Sequence, residues 1–389
     1  MAQLILLRGA RQLLTLRGPS GVRRGAALHD LGIIEDGSVL VRDGIIAAVG
    51  STRRLENLKE ARLALEIPAQ GKIVMPGFVD ASLNLTLDAT EHPHKRKKLG
   101  DFYDDSLGLM RSCLQHGTLT ADVKACGDRL DFHSDISALR KLASIGSNPV
   151  RMMRTWRIRQ PYGSSEREAN RFRETLHVLT RRRLIHFVEV TRESQAAIDA
   201  QTLNALYDAC VGIRLAWAGG APEELSSILD TLQPGTVCCD SQITGAEIEM
   251  LSKVPAIAVF PTGKEVFEGP KGAAPRRLAD AGGAIALSSG YDSAFAASFS
   301  MQMSLSLAVV RLGLTPEQAF AAATINAAHA AGCAHLTGSL ESGKQADMLI
   351  LSVGDYREIP RQFGINHVEM AIRQGSIVLN RSRWRAAAN

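Results

Sequence analysis

Aromatic residues are scarce in this 389-residue chain: Phe, Trp and Tyr make up 5% of it. The short basic runs Lys95-Arg96-Lys97-Lys98 and Arg181-Arg182-Arg183 therefore lack the interleaved rings on which unpaired bases stack. No nucleic-acid motif accompanies them, so a solvated face is the better reading and no nucleic-acid partner is expected. A large excess of one charge is also missing: 45 Lys+Arg stand against 40 Asp+Glu, a net charge of +5. The six cysteines include no C-x-x-C. Cys238 and Cys239 are adjacent, which an ordinary bridge between them does not allow. Reduced thiols and a cytoplasmic location are the expectation. No run of about 18 apolar residues exists, so no membrane span is expected. The first 29 residues hold no acid, as a transit peptide would, but Leu4–Leu7 and Leu13–Leu16 read better as two short strands. The remaining balance, 45% hydrophobic and 22% charged, excludes collagen, intrinsic disorder and a disulfide scaffold.

What is present is an ordered change of pattern. Residues 1–75 alternate short apolar segments with tight turns, among them Asp36-Gly37 and Asp43-Gly44, whose positive φ angles suit hairpins. From 76 to 335, strand-like runs such as Thr118–Val123, Ile185–Val190, Gly212–Trp217, Ala256–Phe260 and Ala284–Ser289 alternate with helical stretches near 195–210, 222–233 and 245–252. That alternation predicts βα units and a parallel sheet; about eight units in some 260 residues suit a (β/α)8 barrel. Thr315 and Pro316 predict the N-cap and first position of a late helix. After residue 336 the chain returns to strands, two of them around Gln374-Gly375. The fold class is therefore α/β. Residues 1–75 and 336–389 form a composite β-sandwich around a barrel over 76–335.

Gly71-Lys72-Ile73-Val74-Met75-Pro76-Gly77-Phe78-Val79-Asp80 resembles the strand that leads into the barrel in the amidohydrolase superfamily. His116–Lys124, Leu314–Ala319, Thr324–Ala328 and Gly338–Asp347 are similar to its imidazolonepropionase-like branch. The resemblance covers nearly the whole chain in order, and it implies a hydrolase of cyclic C–N bonds. It also implies a metal ion held by a His-x-His after the first strand, one His on each of two later strands, and an Asp on the last. Such a metal lowers the pKa of its bound water so that hydroxide forms near neutral pH.

This chain departs from that pattern. Ser82 and Asn84 stand at the His-x-His, Ala216 and Ser241 at the two later His, and Gly290 at the Asp. Hydroxyl and amide groups are poor ligands for Zn²⁺ or Fe²⁺. No metal and no cofactor are therefore expected, although the chain has ten histidines. His92-Pro93-His94 reads as a solvated loop. Asp292, two residues past the ligand position, is the candidate acid/base. Ser82, Asn84, Lys124, Glu189, Arg214, Asp240 and Tyr291 are the candidate ligand contacts. The expected function is that of a pseudoenzyme: a non-catalytic binding or partner subunit that takes a small-molecule ligand. The alternatives are metal-free acid/base chemistry through Asp292, or C–N hydrolysis with a rearranged metal site. The resemblance further implies a homodimer, with pairing to a catalytically active relative as the other assembly.

Overall fold

The computed structural model describes residues 3–382, apart from 87, 90–91, 97, 127–131, 147–148, 159–165, 196–197, 240–242, 264–272 and 293–297. Two large sheets organise the chain. The first is built from its two ends: β1 (Leu4–Leu14), β2 (Ile33–Arg42), β3 (Ile45–Ser51), β4 (Leu65–Pro68) and β5 (Ile73–Pro76), then β16 (Met348–Leu351), β17 (Val368–Arg373) and β18 (Ser376–Asn380). Its order is β18-β17-β16-β5-β1-β2-β3, with β4 also paired to β1. Its apolar face gathers Leu7, Leu13, Val39, Val74, Met348 and Ile350 into one buried cluster. The N-terminal strands differ from expectation in one respect. The two short strands are a single strand, β1, bulged between Leu7 and Ala10. Asp36-Gly37 makes no hairpin; it lies inside β2, where Gly37 pairs with Ala10 beside that bulge. Asp43-Gly44 does form the β2–β3 turn, with φ of 49° and 79°, and Gln374-Gly375 forms the β17–β18 turn at 47° and 73°.

The second sheet is the (β/α)8 barrel. Its strands are β6 (Phe78–Thr86), β9 (Thr118–Cys126), β10 (Arg151–Ile158), β11 (Phe187–Thr191), β12 (Gly212–Trp217), β13 (Thr236–Cys239), β14 (Ile257–Pro261) and β15 (Ala284–Ser288). A small hairpin, β7 (Asp88–Ala89) and β8 (His92–Arg96), leaves the end of β6. All seven neighbouring pairs in the barrel are parallel. Strands buried on both faces read as continuous apolar runs, which is why Ala284–Ser288 is so plain a signal. The ring closes between β6 and β15 through a bridge from Asn84 to Asp292. The Asn84 N–H also donates to the Tyr291 carbonyl at 2.8 Å, and the Ser288 hydroxyl to the Ser82 carbonyl.

Helices cover the outside. Thr315 caps the helix Pro316–Ala323 with a reciprocal Gln318 bond, and Pro316 sits at its start. The two bodies meet at Gly77, where a Cβ would come within 2.4 Å of Leu119. Arg151 reaches across to Asp347 at 3.2 Å. The stretch after β1 leaves the first sheet for the barrel, where the Arg23 N–H donates to Asn326 Oδ1 at 2.9 Å. Among the described residues, no helix is long and apolar enough to cross a membrane.

Candidate functional site

Side chains alternate across each strand, so every second residue of a barrel strand faces inward. Near the C-terminal strand ends the inner faces enclose a cavity of about 370 Å³. Ser82 and Asn84 of β6, Arg157 of β10, Ala216 of β12, Cys238 of β13 and Gly290 after β15 line it. Thr191, Arg192, Glu193 and Trp217 are among the other residues of its wall. Four of the five positions to which the resemblance assigns metal ligands thus converge on one cavity: Ser82, Asn84, Ala216 and Gly290. The fifth, Ser241, lies outside the described residues, as does the candidate contact Asp240.

The donor set at these four positions does not fit zinc or iron. It offers one hydroxyl, one carboxamide, a methyl group and a glycine. Among the described residues, no group of three His, Cys, Asp or Glu is placed to hold a metal ion. Gly290 adds a steric argument. Its φ is +70°, and a Cβ there would stand 3.0 Å from Pro261 Cβ and 3.1 Å from the Gly263 nitrogen. Any side chain at this position would press on both neighbours.

A chain of buried charges lies beneath the cavity. Lys124 and Glu189 form an ion pair with both side chains 1% exposed. Arg157 Nε stands 3.1 Å from Glu189 Oε1, an ion pair by distance whose angle is poor for a hydrogen bond. Arg157 Nη1 donates to Asn84 Oδ1 at 3.3 Å, and Asn84 Nδ2 donates to Asp292 Oδ2 at 3.4 Å. Burial alone would raise the Glu189 carboxyl, but Lys124 and Arg157 outweigh it and hold the group below its ordinary range. Deeper still, Arg214 of β12 pairs with Asp122 of β9 across the barrel interior. Asp122 Oδ1 also accepts the Thr155 hydroxyl at 2.6 Å, and Arg214 Nη2 donates to the Ala330 carbonyl at 2.8 Å. The Arg214 guanidinium lies 3.7 Å above the Phe187 ring. Burial pushes the Asp122 carboxyl up, against the pull of Arg214 and Lys124.

The structure thus divides the candidate residues. Ser82 and Asn84 line the mouth cavity, and Asp292 stands against Asn84 at the barrel seam. Lys124 and Glu189 lie under the floor and, among the described residues, reach the mouth through Arg157. Arg214 is not a mouth residue: it is 2% exposed and lines a separate cavity of about 340 Å³ with Phe187, Gln233 and His329. It stands two positions before Ala216 on the same strand, which places it one layer lower in the barrel. Tyr291 is half-buried against the barrel core and contributes its carbonyl, not its ring, to the seam. Sequence reasoning missed Arg157, Arg192 and Glu193. Arg157 is an inward residue at a strand end, a position that alternation alone marks.

Asp80 serves the seam as well. Its Oδ1 accepts the N–H of Ser82 and that of Ser289, each at 3.2 Å, tying the first barrel strand to the last. Burial pushes this carboxyl up to about 6. His186 lies just before β11, where its Nδ1 accepts the Arg154 N–H at 3.0 Å. Burial lowers it to about 4.

Comparison with known proteins places this geometry. The sequence profile of the Amidohydrolase family matches residues 236–378. The chain is similar to the imidazolonepropionase of Geobacillus kaustophilus (strain HTA426), with 30% identity over 423 residues that cover 97% of this chain and 98% of that one. It is also similar to the imidazolonepropionase of Brevibacillus brevis, at 27% identity over 98% of this chain and 100% of the relative. Among solved structures, the ochratoxinase of A. niger superposes with a TM-score of 0.71 at 17% identity, covering 98% of this chain and 96% of that one. An adenosine deaminase from Xanthomonas campestris with bound zinc gives 0.68 at 17%, covering 97% and 93%. At that identity these structures speak for the fold alone. Sequence and architecture together make the chain a member of the imidazolonepropionase-like branch of the amidohydrolase superfamily.

Proposed function

We propose that this protein binds a small molecule in its barrel mouth without a catalytic metal and does not hydrolyse it. One observation carries the reading. Four positions that should supply metal ligands line a single cavity, yet carry Ser82, Asn84, Ala216 and Gly290. Those groups give neither the nitrogen nor the carboxylate donors that zinc or iron needs. Assembly as a homodimer, or with a catalytically complete relative, belongs to the same reading and is measured by light scattering of the protein alone and mixed.

The test is elemental analysis of protein purified without chelator, together with an assay on imidazolonepropionate, the compound that names the relatives. Substoichiometric metal and no turnover are expected, while a ligand library still raises the melting temperature. Stoichiometric zinc, iron or manganese with turnover would restore the C–N hydrolase with a rearranged site. A second reading has its own support: Asp292 accepts from Nδ2 of the cavity-lining Asn84 at 3.4 Å, which puts a carboxylate next to the site for proton transfer. If turnover is found without metal, Asp292→Asn abolishes it under this reading and leaves it intact otherwise.

A further inference from the structure

We propose that the cation of this barrel is part of the chain itself: the Arg157 guanidinium, backed by Lys124, takes the place that the resemblance gives to a metal ion. The inference rests on the metal-free reading above and goes beyond it, because it says what occupies the site and does the bracing. Asn84 stands at a ligand position, and its carboxamide oxygen is held by Arg157 Nη1 at 3.3 Å. On its other side Arg157 stands 3.1 Å from Glu189, which Lys124 also engages. The arrangement joins β6, β9, β10 and β11 around one positive centre, as ligands from several strands would join around a metal. A second cation brought into this mouth meets the Arg157 guanidinium, a charge that does not titrate, and Arg157 and Lys124 together outnumber the single carboxylate of Glu189 that they share. Gly290 completes the argument. With φ at +70° and Pro261 and Gly263 closing on its missing Cβ, the backbone leaves little room for a ligand side chain here. A metal in the usual place therefore has neither its donors nor a free electrostatic berth.

Two engineered chains test this. One carries Ser82→His, Asn84→His and Ala216→His with Arg157 kept; the other adds Arg157→Gln. Zinc binding is measured by titration with a chromophoric competitor, and folding is checked by circular dichroism. The chain with Arg157→Gln is expected to bind about one zinc ion, at least tenfold more tightly than the chain that keeps Arg157. Equal affinity in the two would overturn the inference while leaving the metal-free reading intact. Stoichiometric zinc in the unaltered protein would overturn that reading, and the inference with it. If neither engineered chain folds or takes zinc, melting decides. Arg157→Gln and Glu189→Gln should each lower Tm by about 4–6 °C, with the double change costing less than the sum. Single changes within about 1 °C of the unaltered protein, or strictly additive losses, would refute the brace.

Discussion

Replacing Arg214 by methionine isolates the value of the deepest ion pair in the barrel. Methionine keeps an unbranched apolar stem beside Phe187 and removes the charge and the bond to the Ala330 carbonyl. Asp122, fully buried, then keeps only Thr155 as a direct partner among the contacts described. Breaking a buried pair from one side costs about 3–5 kcal/mol, because the remaining charge is stranded. At roughly 2.1 cal/mol/K per residue, 389 residues give an unfolding entropy of about 0.8 kcal/mol/K. The loss should therefore appear as a fall in Tm of about 4–6 °C. Its pH dependence has a definite sign. Without Arg214 the Asp122 carboxyl rises further above its unfolded value, so the penalty is full above its folded pKa and fades towards acid as the group protonates. Melting by differential scanning calorimetry at pH 8 and pH 5 should show a deficit that shrinks at the lower pH. Arg214→Met with Asp122→Leu removes both charges and should recover most of the loss. A single variant that melts with the unaltered protein, or a double variant that melts at the sum of the two losses, would refute the reasoning.

Other groups give independent readouts. Asp80, raised to about 6 from 3.8, contributes stability that is present below 3.8 and lost as pH rises through 6. Asp80→Asn keeps an Oδ1 acceptor and should gain on the unaltered protein between pH 4 and 7, by at most about 3 kcal/mol; parallel urea stabilities across that range would count against it. His186, lowered to about 4 from 6.5, works in the opposite direction. Its contribution is present above 6.5 and lost as pH falls through 4, so His186→Asn should flatten the acid limb of the stability profile. Gly290→Ala forces a side chain into a positive-φ position against Pro261 and Gly263 and should cost about 1–3 kcal/mol in urea denaturation; a neutral result would mean that the loop yields.

Much of the fold was readable because its signals are local. Asp43-Gly44 and Gln374-Gly375 carry turn chemistry in two residues, and Thr315-Pro316-Glu317-Gln318 carries a cap and its reciprocal bond in four. Asp36-Gly37 has the same local chemistry and misled, because the bulge of β1 opposite it absorbs the positive φ within a continuous strand. At the site, the motif order identified Ser82, Asn84 and Gly290, which the structure gathers around one cavity. Depth was harder to read. Alternation says that Arg214 points inward, but its long side chain pairs with a strand three places away, below the mouth. The role of Arg157 depends on Asn84 and Glu189, 73 and 32 residues away in the chain, and no local pattern announces such a meeting.

The pairing of β5 with β16 has a consequence for synthesis. Val74 lies opposite Ile350, so 276 residues separate the emergence of one strand from that of its partner. At about 5–20 residues per second, the ribosome takes roughly 15–55 s to cover that distance. Throughout that interval the Ile73–Pro76 edge, wholly buried in the finished protein, has no neighbour on that side. An apolar strand edge waiting that long is an invitation to wrong pairing. The nascent chain should therefore engage a chaperone until its last 42 residues, from Met348 on, arrive, and a chain cut short before Met348 should aggregate rather than fold around an otherwise complete barrel.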